Sequence, residues 1–167
     1  MKFKTHEERM QHPQARLIPQ SLWSSRGEAV LDAMLTISKF PNDPAQEVSV
    51  IDRLRGVRKL PTTPDQRQVM WLAIALSYPD LHHSQLINTA QGLGMSNTDA
   101  FVTAAILGHL PVMERLMDIA PDKVQDMIVA YDYLAFRNAA QNGHLPVMER
   151  LMALAPDKVR DMIGANN

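Results

Sequence analysis

The sequence predicts an all-α protein in which a helical N-terminal bundle packs on a short α-helical solenoid. Three observations support this fold class. A 35-residue unit occurs twice near the C-terminus, its apolar residues recur with helical spacing, and no segment alternates polar and apolar residues for long enough to form a strand. The 167 residues suffice for one domain, or for a small domain followed by a repeat array.

The composition excludes several classes of protein. Lys and Arg number 17 and Asp and Glu 18, so the net charge of -1 gives no general attraction to nucleic acid, and we expect no nucleic-acid partner. The absence of cysteine excludes disulfides and thiolate zinc sites. The longest apolar run, residues 69–76, is far shorter than the ~20 residues of a membrane-spanning helix. The N-terminus also lacks a signal-peptide core, so we expect a cytoplasmic protein with no membrane span.

The N-terminal half divides into a tail and a helical region. Residues 1–20 contain Pro13 and Pro19 and are expected to be irregular. In residues 21–95, a capping box from Ser25 to Glu28 predicts a first helix that Phe40-Pro41 ends, and residues 43–46 begin a second. The apolar face of that second helix would carry Val48, Ile51, Leu54 and Val57.

Two further helices precede the repeats. One begins at residues 63–66 and continues into the run 69–76, which is apolar on nearly all sides and therefore predicted to be buried. The other covers residues 84–91 and ends at Gly92. This pair is either a diverged repeat or part of a bundle. Because two repeats rarely bury their apolar faces alone, we expect residues 21–95 to cap the array.

The duplication is the strongest signal in the chain. Residues 108–128 and 143–163 differ only where Asp118, Ile119 and Gln125 of the first copy become Ala153, Leu154 and Arg160. Gly108 suits the left-handed position after a helix, and Pro111 suits the first turn of the next. An apolar stripe at helical spacing follows, so each unit is predicted to be two antiparallel helices joined by a glycine turn.

The linker between the copies is predicted to be a short helix. Residues 120–128 contain no glycine, and Pro121 is suited to begin a helix there. One predicted stripe on this helix follows the spacing i, i+3, i+4, i+7 and consists of Val124, Met127, Ile128 and Tyr131.

The pattern A-A-x-x-G-H-x-x-V-x-x-x-L, at residues 104–116 and 139–151, resembles the helix–turn–helix half of the ankyrin repeat. The repeats would occupy about 99–133 and 134–167 within a region 96–167. The chain departs from the family in three ways. It lacks the family's T-P-L-H opening of the first helix, its period is 35 residues, and it lacks the glycine-rich hairpin between the units. The resemblance implies a protein-interaction module. The near-identical copies are also similar to ankyrin-type effectors of intracellular bacteria, which implies delivery into a host cell without a classical signal peptide.

No residue pattern predicts catalysis, a metal or a cofactor. His82 and His83 are adjacent, so their side chains diverge by about 100° on a helix and chelate poorly. His109 and His144 occupy the same place in the two copies and are interpreted as turn residues bonded to nearby backbone. The repeated methionines are interpreted as core, since methionine fills irregular gaps between helices: Met113, Met117, Met127, Met148, Met152 and Met162.

Positions that differ between the copies indicate a partner surface. This face changes character between the copies, since Val102, Thr103, Ile106 and Leu107 of the first copy correspond to Arg137, Asn138, Gln141 and Asn142 of the second. The resemblance implies that partners bind this inner face and the adjoining loops. The connector adds aromatic anchors typical of interfaces. The predicted partner-binding residues are Tyr131, Asp132, Tyr133, Arg137, Asn138, Gln141 and Thr103.

Two alternatives remain open from the sequence. An enzyme could have a site in the N-terminal helices, with the repeats selecting the substrate and with candidates Glu47, Asp80, His82 and His83. Separately, no polar repeat closes the array. Its last apolar residues are therefore expected either to fold back over the second copy or to mediate self-association: Val159, Met162 and Ile163.

Overall fold

A computed structural model describes residues 7–8, 11–23, 26–37 and 61–165. The chain divides into two compact units, Met1–Leu81 and His82–Asn167, whereas the sequence analysis placed the boundary after residue 95. The described residues form α-helices and 3-10 helices and no strand, which confirms the all-α class. None of the helices described combines the length and the apolar character needed to cross a bilayer.

The first unit contains two 3-10 helices, Pro13–Leu17 and Gln20–Leu22, and two α-helices, α1 (Gly27–Ile37) and α2 (Pro64–Ser77). The α-helices pack against each other. The Thr63 hydroxyl accepts a hydrogen bond from the Gln66 amide at 3.2 Å and begins α2.

The predicted apolar helix is buried as expected, since its residues from Met70 to Ala75 are all inaccessible. Part of the expected tail also packs inward, because Ala15 and Ile18 are buried. Several predictions concern residues outside those described. These are the helix stop at Phe40-Pro41, the second N-terminal helix with Val48, Ile51, Leu54 and Val57, and Ser25 of the capping box.

The second unit contains α3 (His83–Gly92), α4 (Asn97–Ile106), α5 (Leu110–Ile119), a 3-10 turn Pro121–Lys123 and α6 (Val124–Gln141). It continues with α7 (Leu145–Leu154), a second 3-10 turn Pro156–Lys158 and α8 (Val159–Gly164). The first copy comprises α4 and α5, and the second comprises the later part of α6 together with α7. The predicted linker helix is confirmed, because a 3-10 turn begins at Pro121 and an α-helix follows from Val124. Met127 and Ile128 on this helix are buried.

The glycine turn of the repeat has the same geometry in both copies. Gly108 has φ +65° and Gly143 has φ +70°, the left-handed conformation that favours glycine. After Gly108, the His109 amide donates to the Ala104 carbonyl at 3.0 Å and the Gly108 amide to the Ala105 carbonyl at 3.2 Å. This Schellman motif satisfies the last carbonyl groups of α4 and turns the chain into α5.

The two copies stack through their equivalent helices. The later part of α6 packs on α4, and the side-chain amide of Asn138 donates through Nδ2 to the Val102 carbonyl at 2.9 Å. Nε2 of His144 lies 2.9 Å from the Ile106 carbonyl oxygen, so the turn histidine of the second copy bonds backbone as predicted. On the other side, α3 packs against α5. One helix of the predicted capping region thus covers the first copy, and capping by residues 21–81 stays a prediction.

His109 differs from His144. Its Nδ1 is buried without a hydrogen-bond partner among the residues described. Burial, with a smaller contribution from His83, lowers the pKa of His109, whereas a backbone hydrogen bond opposes that shift. The imidazole of the first copy is therefore held in its neutral form.

Replacing the two turn glycines by alanine separates backbone strain from packing. Each change places a Cβ at positive φ, which costs about 1–2 kcal/mol. At Gly108 the added Cβ would also collide with the His144 ring, whereas nothing lies near the Cβ position of Gly143. In urea unfolding, Gly108→Ala should therefore lower the free energy of unfolding more than Gly143→Ala. Equal losses would show that the contact between Gly108 and His144 contributes nothing.

Candidate functional site

The connector between the copies has an unusual backbone. At Ala130 the chain leaves the helix (φ -54°, ψ 139°), and Tyr131, Asp132 and Tyr133 follow with φ of 53°, 56° and 58°. A residue other than glycine at such angles costs about 1–2 kcal/mol, although Asp tolerates them better than most. The prediction that Tyr131 continues the stripe of the linker helix is wrong, because the helix breaks at Ala130. The Tyr131 side chain is 57% exposed, as its predicted role in partner binding requires.

Arg137 holds this backbone from one side. Its Nη2 donates to the Tyr131 carbonyl at 2.7 Å and its Nε to the Asp132 carbonyl at 3.0 Å. The planar fork of a guanidinium suits two successive carbonyl oxygens, and a lysine ammonium does not reproduce that geometry. Arg137 therefore acts chiefly as a positioning residue for the connector.

The two tyrosines tie the connector to the helices on either side. The Tyr131 hydroxyl donates to Oδ1 of Asp99 at 2.6 Å, in the first turn of α4. The Tyr133 hydroxyl donates to Oδ2 of Asp161 at 3.4 Å, in α8. The connector is thus a fixed link between the first copy and the end of the second, with the Tyr131 ring presented outward.

The carboxylates around the tyrosines shape the electrostatics. The hydrogen bond to Asp99 raises the pKa of Tyr131 above its ordinary value, and burial and the Asp99 charge act in the same direction. The pKa of Tyr133 is raised by desolvation and then by the charges of Asp161, Asp132 and Asp157. Both phenols stay neutral at physiological pH, and the surface beside them is acidic.

Two of the predicted partner-binding residues are buried. Thr103 is fully inaccessible and its hydroxyl donates to the Asp99 carbonyl at 2.6 Å. Asn138 is 9% exposed and bonds the backbone of the first copy. Neither can contact a partner directly. Tyr131, Asp132 and Gln141 are exposed, and Tyr133 and Arg137 are half-buried.

The interpretation of the variable positions as one inner binding face is wrong for the first copy. Val102 and Ile106 are only 2% and 4% exposed, because α6 packs on α4. Their equivalents Arg137 and Gln141 have no described repeat after them and are accessible. The change from apolar to polar follows the place of each copy, since among the described residues the first copy is covered by the second and the second copy by no further repeat.

Among the residues described, no three His, Asp or Glu side chains are grouped so that they could hold a metal ion. His82 begins α3 as a capping residue, with Nδ1 accepting from the Ser84 amide at 3.3 Å. Asp80 is exposed, and Glu47 lies outside the described residues. The geometry of the connector suits binding, because it offers an aromatic ring and acidic hydrogen-bond acceptors on a fixed backbone.

Sequence reasoning missed the bonds that support the connector. It did not identify Asp99 or Asp161 as partners of the tyrosines, nor Arg137 as a ligand of the backbone. A signal was present, because a chain that turns sharply without glycine needs side chains to satisfy and hold its backbone.

Removing Arg137 should loosen the connector. We expect Arg137→Ala to lower the free energy of unfolding by about 1–2 kcal/mol, since two hydrogen bonds from a charged donor are lost at a partly exposed site. Limited proteolysis should also cut faster at residues 130–133. Gln141→Ala, on the same helix and exposed, is the matched control and should change neither measurement. Comparable cleavage rates in both variants would contradict this role for Arg137.

The titration of Tyr131 should report its bond to Asp99. In a Tyr78→Phe/Tyr133→Phe background, phenolate absorbance should show that the pKa of Tyr131 in the folded chain exceeds that in the unfolded chain. The bond therefore stabilises the fold below the ordinary tyrosine pKa, and its contribution is lost as the pH rises through the folded value. Asp99→Asn should return the midpoint towards the ordinary value. An unchanged midpoint would show that Asp99 is not responsible.

The architecture can be compared with known proteins. A solved structure of an ankyrin repeat family protein from Legionella pneumophila matches 98% of this chain, with a TM-score of 0.58 and 25% sequence identity. The chain spans 55% of the length of that protein. No protein-family model and no curated protein matches the chain. Taken with the duplicated helix–turn–helix units, the structural match confirms the predicted resemblance and shows an ankyrin-repeat-like fold.

Proposed function

We propose that this chain is a non-enzymatic protein-interaction module whose partner is bound by the connector between the copies. One observation carries the proposal: three successive residues with left-handed backbone angles are held by Arg137 while Tyr131 and Asp132 remain exposed. Strained backbone persists only where the surroundings impose it, and such positions cluster at functional sites. The contact residues would be Tyr131, Asp132 and the accessible part of Tyr133, with Gln141 beside them.

The physical advantage of such a site is preorganisation. Ordering a loop and its side chains on binding opposes association, and a connector that is already fixed avoids most of that cost. Tyrosine adds a large contact area with few rotatable bonds. The hydrogen bond from Tyr131 to Asp99 further restricts the ring before a partner arrives.

The acidic surroundings define the chemistry of the partner. Carboxylates of Asp99, Asp132, Asp157 and Asp161 lie beside the two phenols. A segment that presents lysine or arginine could stack on the exposed ring and pair with these carboxylates. We infer a basic segment of another protein. The effector role, with a host protein as the partner, rests on the resemblance of the copies to bacterial ankyrin-type effectors.

The alternative of an enzyme in the N-terminal helices gains no support from the residues described. His82 has a capping role in α3. Its ring centroid lies 3.8 Å from that of His83, so the prediction that these two side chains diverge is wrong. Among the described residues, no group of three His, Asp or Glu side chains could hold a metal ion. The interaction module is therefore the better explanation of the residues that are accessible.

Affinity capture tests the proposal. The immobilised chain would be compared with a Tyr131→Ala/Asp132→Ser/Gln141→Ala variant in a host-cell lysate, with bound proteins identified by mass spectrometry. We expect at least one protein to be retained by the parent chain and lost from the variant, and its retention to fall as salt is added, because the attraction is partly ionic.

Two controls make the result specific. Asp118→Ala removes an exposed carboxylate from α5 and should retain the same protein. Tyr131→Phe keeps the ring but removes the bond to Asp99, so it should weaken retention less than the triple variant. Identical bound proteins for the parent chain and the triple variant would rule out the connector as the binding surface.

A further inference from the structure

The two copies differ in how far their second helices are covered. Three apolar side chains of the first copy are 1%, 6% and 1% exposed, in the order Met113, Met117 and Ile128. Their equivalents in the second copy are more accessible, in the order Met148, Met152 and Ile163. Ile163 reaches 55% exposure, and Leu145 reaches 56%. The apolar side chains on the second helix of the first copy are thus almost fully covered, whereas the described residues cover their equivalents in the second copy only in part.

The polar bonds between the copies locate the same surface. Oε1 of Glu114 accepts from Nε of Arg150 at 2.6 Å. Gln125 donates to the Leu154 carbonyl and accepts from the Lys158 ammonium, both at 3.0 Å. Both Glu114 and Gln125 therefore face the copy that follows. Their equivalents are Glu149 and Arg160, which are exposed and for which the described residues supply no salt bridge.

A third repeat of the same kind does not suit this surface. In the geometry of the first two copies it would cover Arg137 and Gln141, just as α6 covers Val102 and Ile106, and would remove a guanidinium from water at considerable cost. In the second copy, Lys158 of the loop A-P-D-K bonds Gln125 of the first copy. The same loop in a third repeat would place its lysine against Arg160, the equivalent of Gln125, and two cations would then face each other. The side of the second copy that corresponds to α4, which carries Arg137 and Gln141, is therefore suited to contact with solvent. The accessible apolar surface lies on α7 and α8.

What remains is a surface that carries both signs of charge and an apolar centre. We define it as the terminal face: Leu145, Met148, Glu149, Met152, Arg160 and Ile163. An open groove of about 680 Å³ runs along its α8 side, lined by Pro156, Asp157, Val159, Arg160, Asp161 and Ile163. A two-fold interface places one patch against itself, so that residue i of one copy meets residue j of the other and the reverse. A patch that holds one anion and one cation satisfies this condition.

We propose that the terminal face binds a second copy of this chain about a two-fold axis, with Glu149 of each copy paired with Arg160 of the other. The methionines, Leu145 and Ile163 supply the apolar contact between the charged pairs. Met162 is fully buried against its own unit and takes no part. The last helix thus folds back through Met162 while it presents Ile163 and Arg160 outward. The terminal face contains none of the proposed partner-contact residues, so the dimer goes beyond the proposed partner site.

Light scattering and sedimentation across a concentration series test the proposal on the whole chain. The parent chain should pass from monomer to dimer as its concentration rises. Glu149→Arg alone and Arg160→Glu alone should each weaken the dimer at least about tenfold, because each homodimer then contains two like-charge pairs. An equimolar mixture of the two variants should dimerise again, since the heterodimer restores two opposite-charge pairs.

The mixture also serves as the folding control, because it contains the same two variant chains. Asp118→Arg, a charge reversal on the exposed side of α5, should leave the parent dimer unchanged, and Ile163→Ser should weaken it. A parent chain that stays monomeric up to about 1 mM overturns the proposal. So does a dimer that the two reversals do not weaken, or a mixture of the two variants that stays monomeric.

Discussion

A pair of antiparallel helices of about ten residues each has too little interior to bury its own apolar face, so each copy in this chain depends on a neighbour. The contact between α4 and the later part of α6 satisfies that need for the first copy. It buries Val102 and Ile106 and is completed by two bonds to backbone, from Asn138 and His144. The close approach of Gly108 to the His144 ring belongs to the same contact.

The connector shows how the chain replaces a glycine-rich turn by side-chain chemistry. The helix from Val124 buries Met127 and Ile128, and the chain must then reverse sharply to begin the second copy. Without glycine, the left-handed angles at residues 131–133 would be unfavourable by several kcal/mol in total. The guanidinium of Arg137 and the carboxylate of Asp99 offset part of this cost. The same bonds leave an ordered and accessible aromatic surface, which links the stability of the fold to the proposed binding role.

Identical residues in the two copies have different roles because of their position in the array. Glu114 is paired across the interface between the copies, whereas Glu149 faces outward. Met113 is core, whereas Met148 is half-buried. The few substitutions follow the same logic, since polar residues appear where the second copy lacks a described neighbour. On the side of the second copy that corresponds to α4 the accessible residues are polar, whereas on the side of α7 and α8 the apolar residues are retained.

The sequence by itself determined the local structure. The duplication, the positions of Gly108 and Pro111, the capping role of Thr63 and the helix after Pro121 depend on propensities and spacings within a few residues, and these predictions are confirmed. The structure alone decided which side chains are accessible. Thr103 and Asn138 were predicted to contact a partner but are buried. Arg137 points towards the connector backbone and bonds it. Exposure is set by contacts between residues 30 or more positions apart, and periodicity within one helix does not encode which neighbour will cover it.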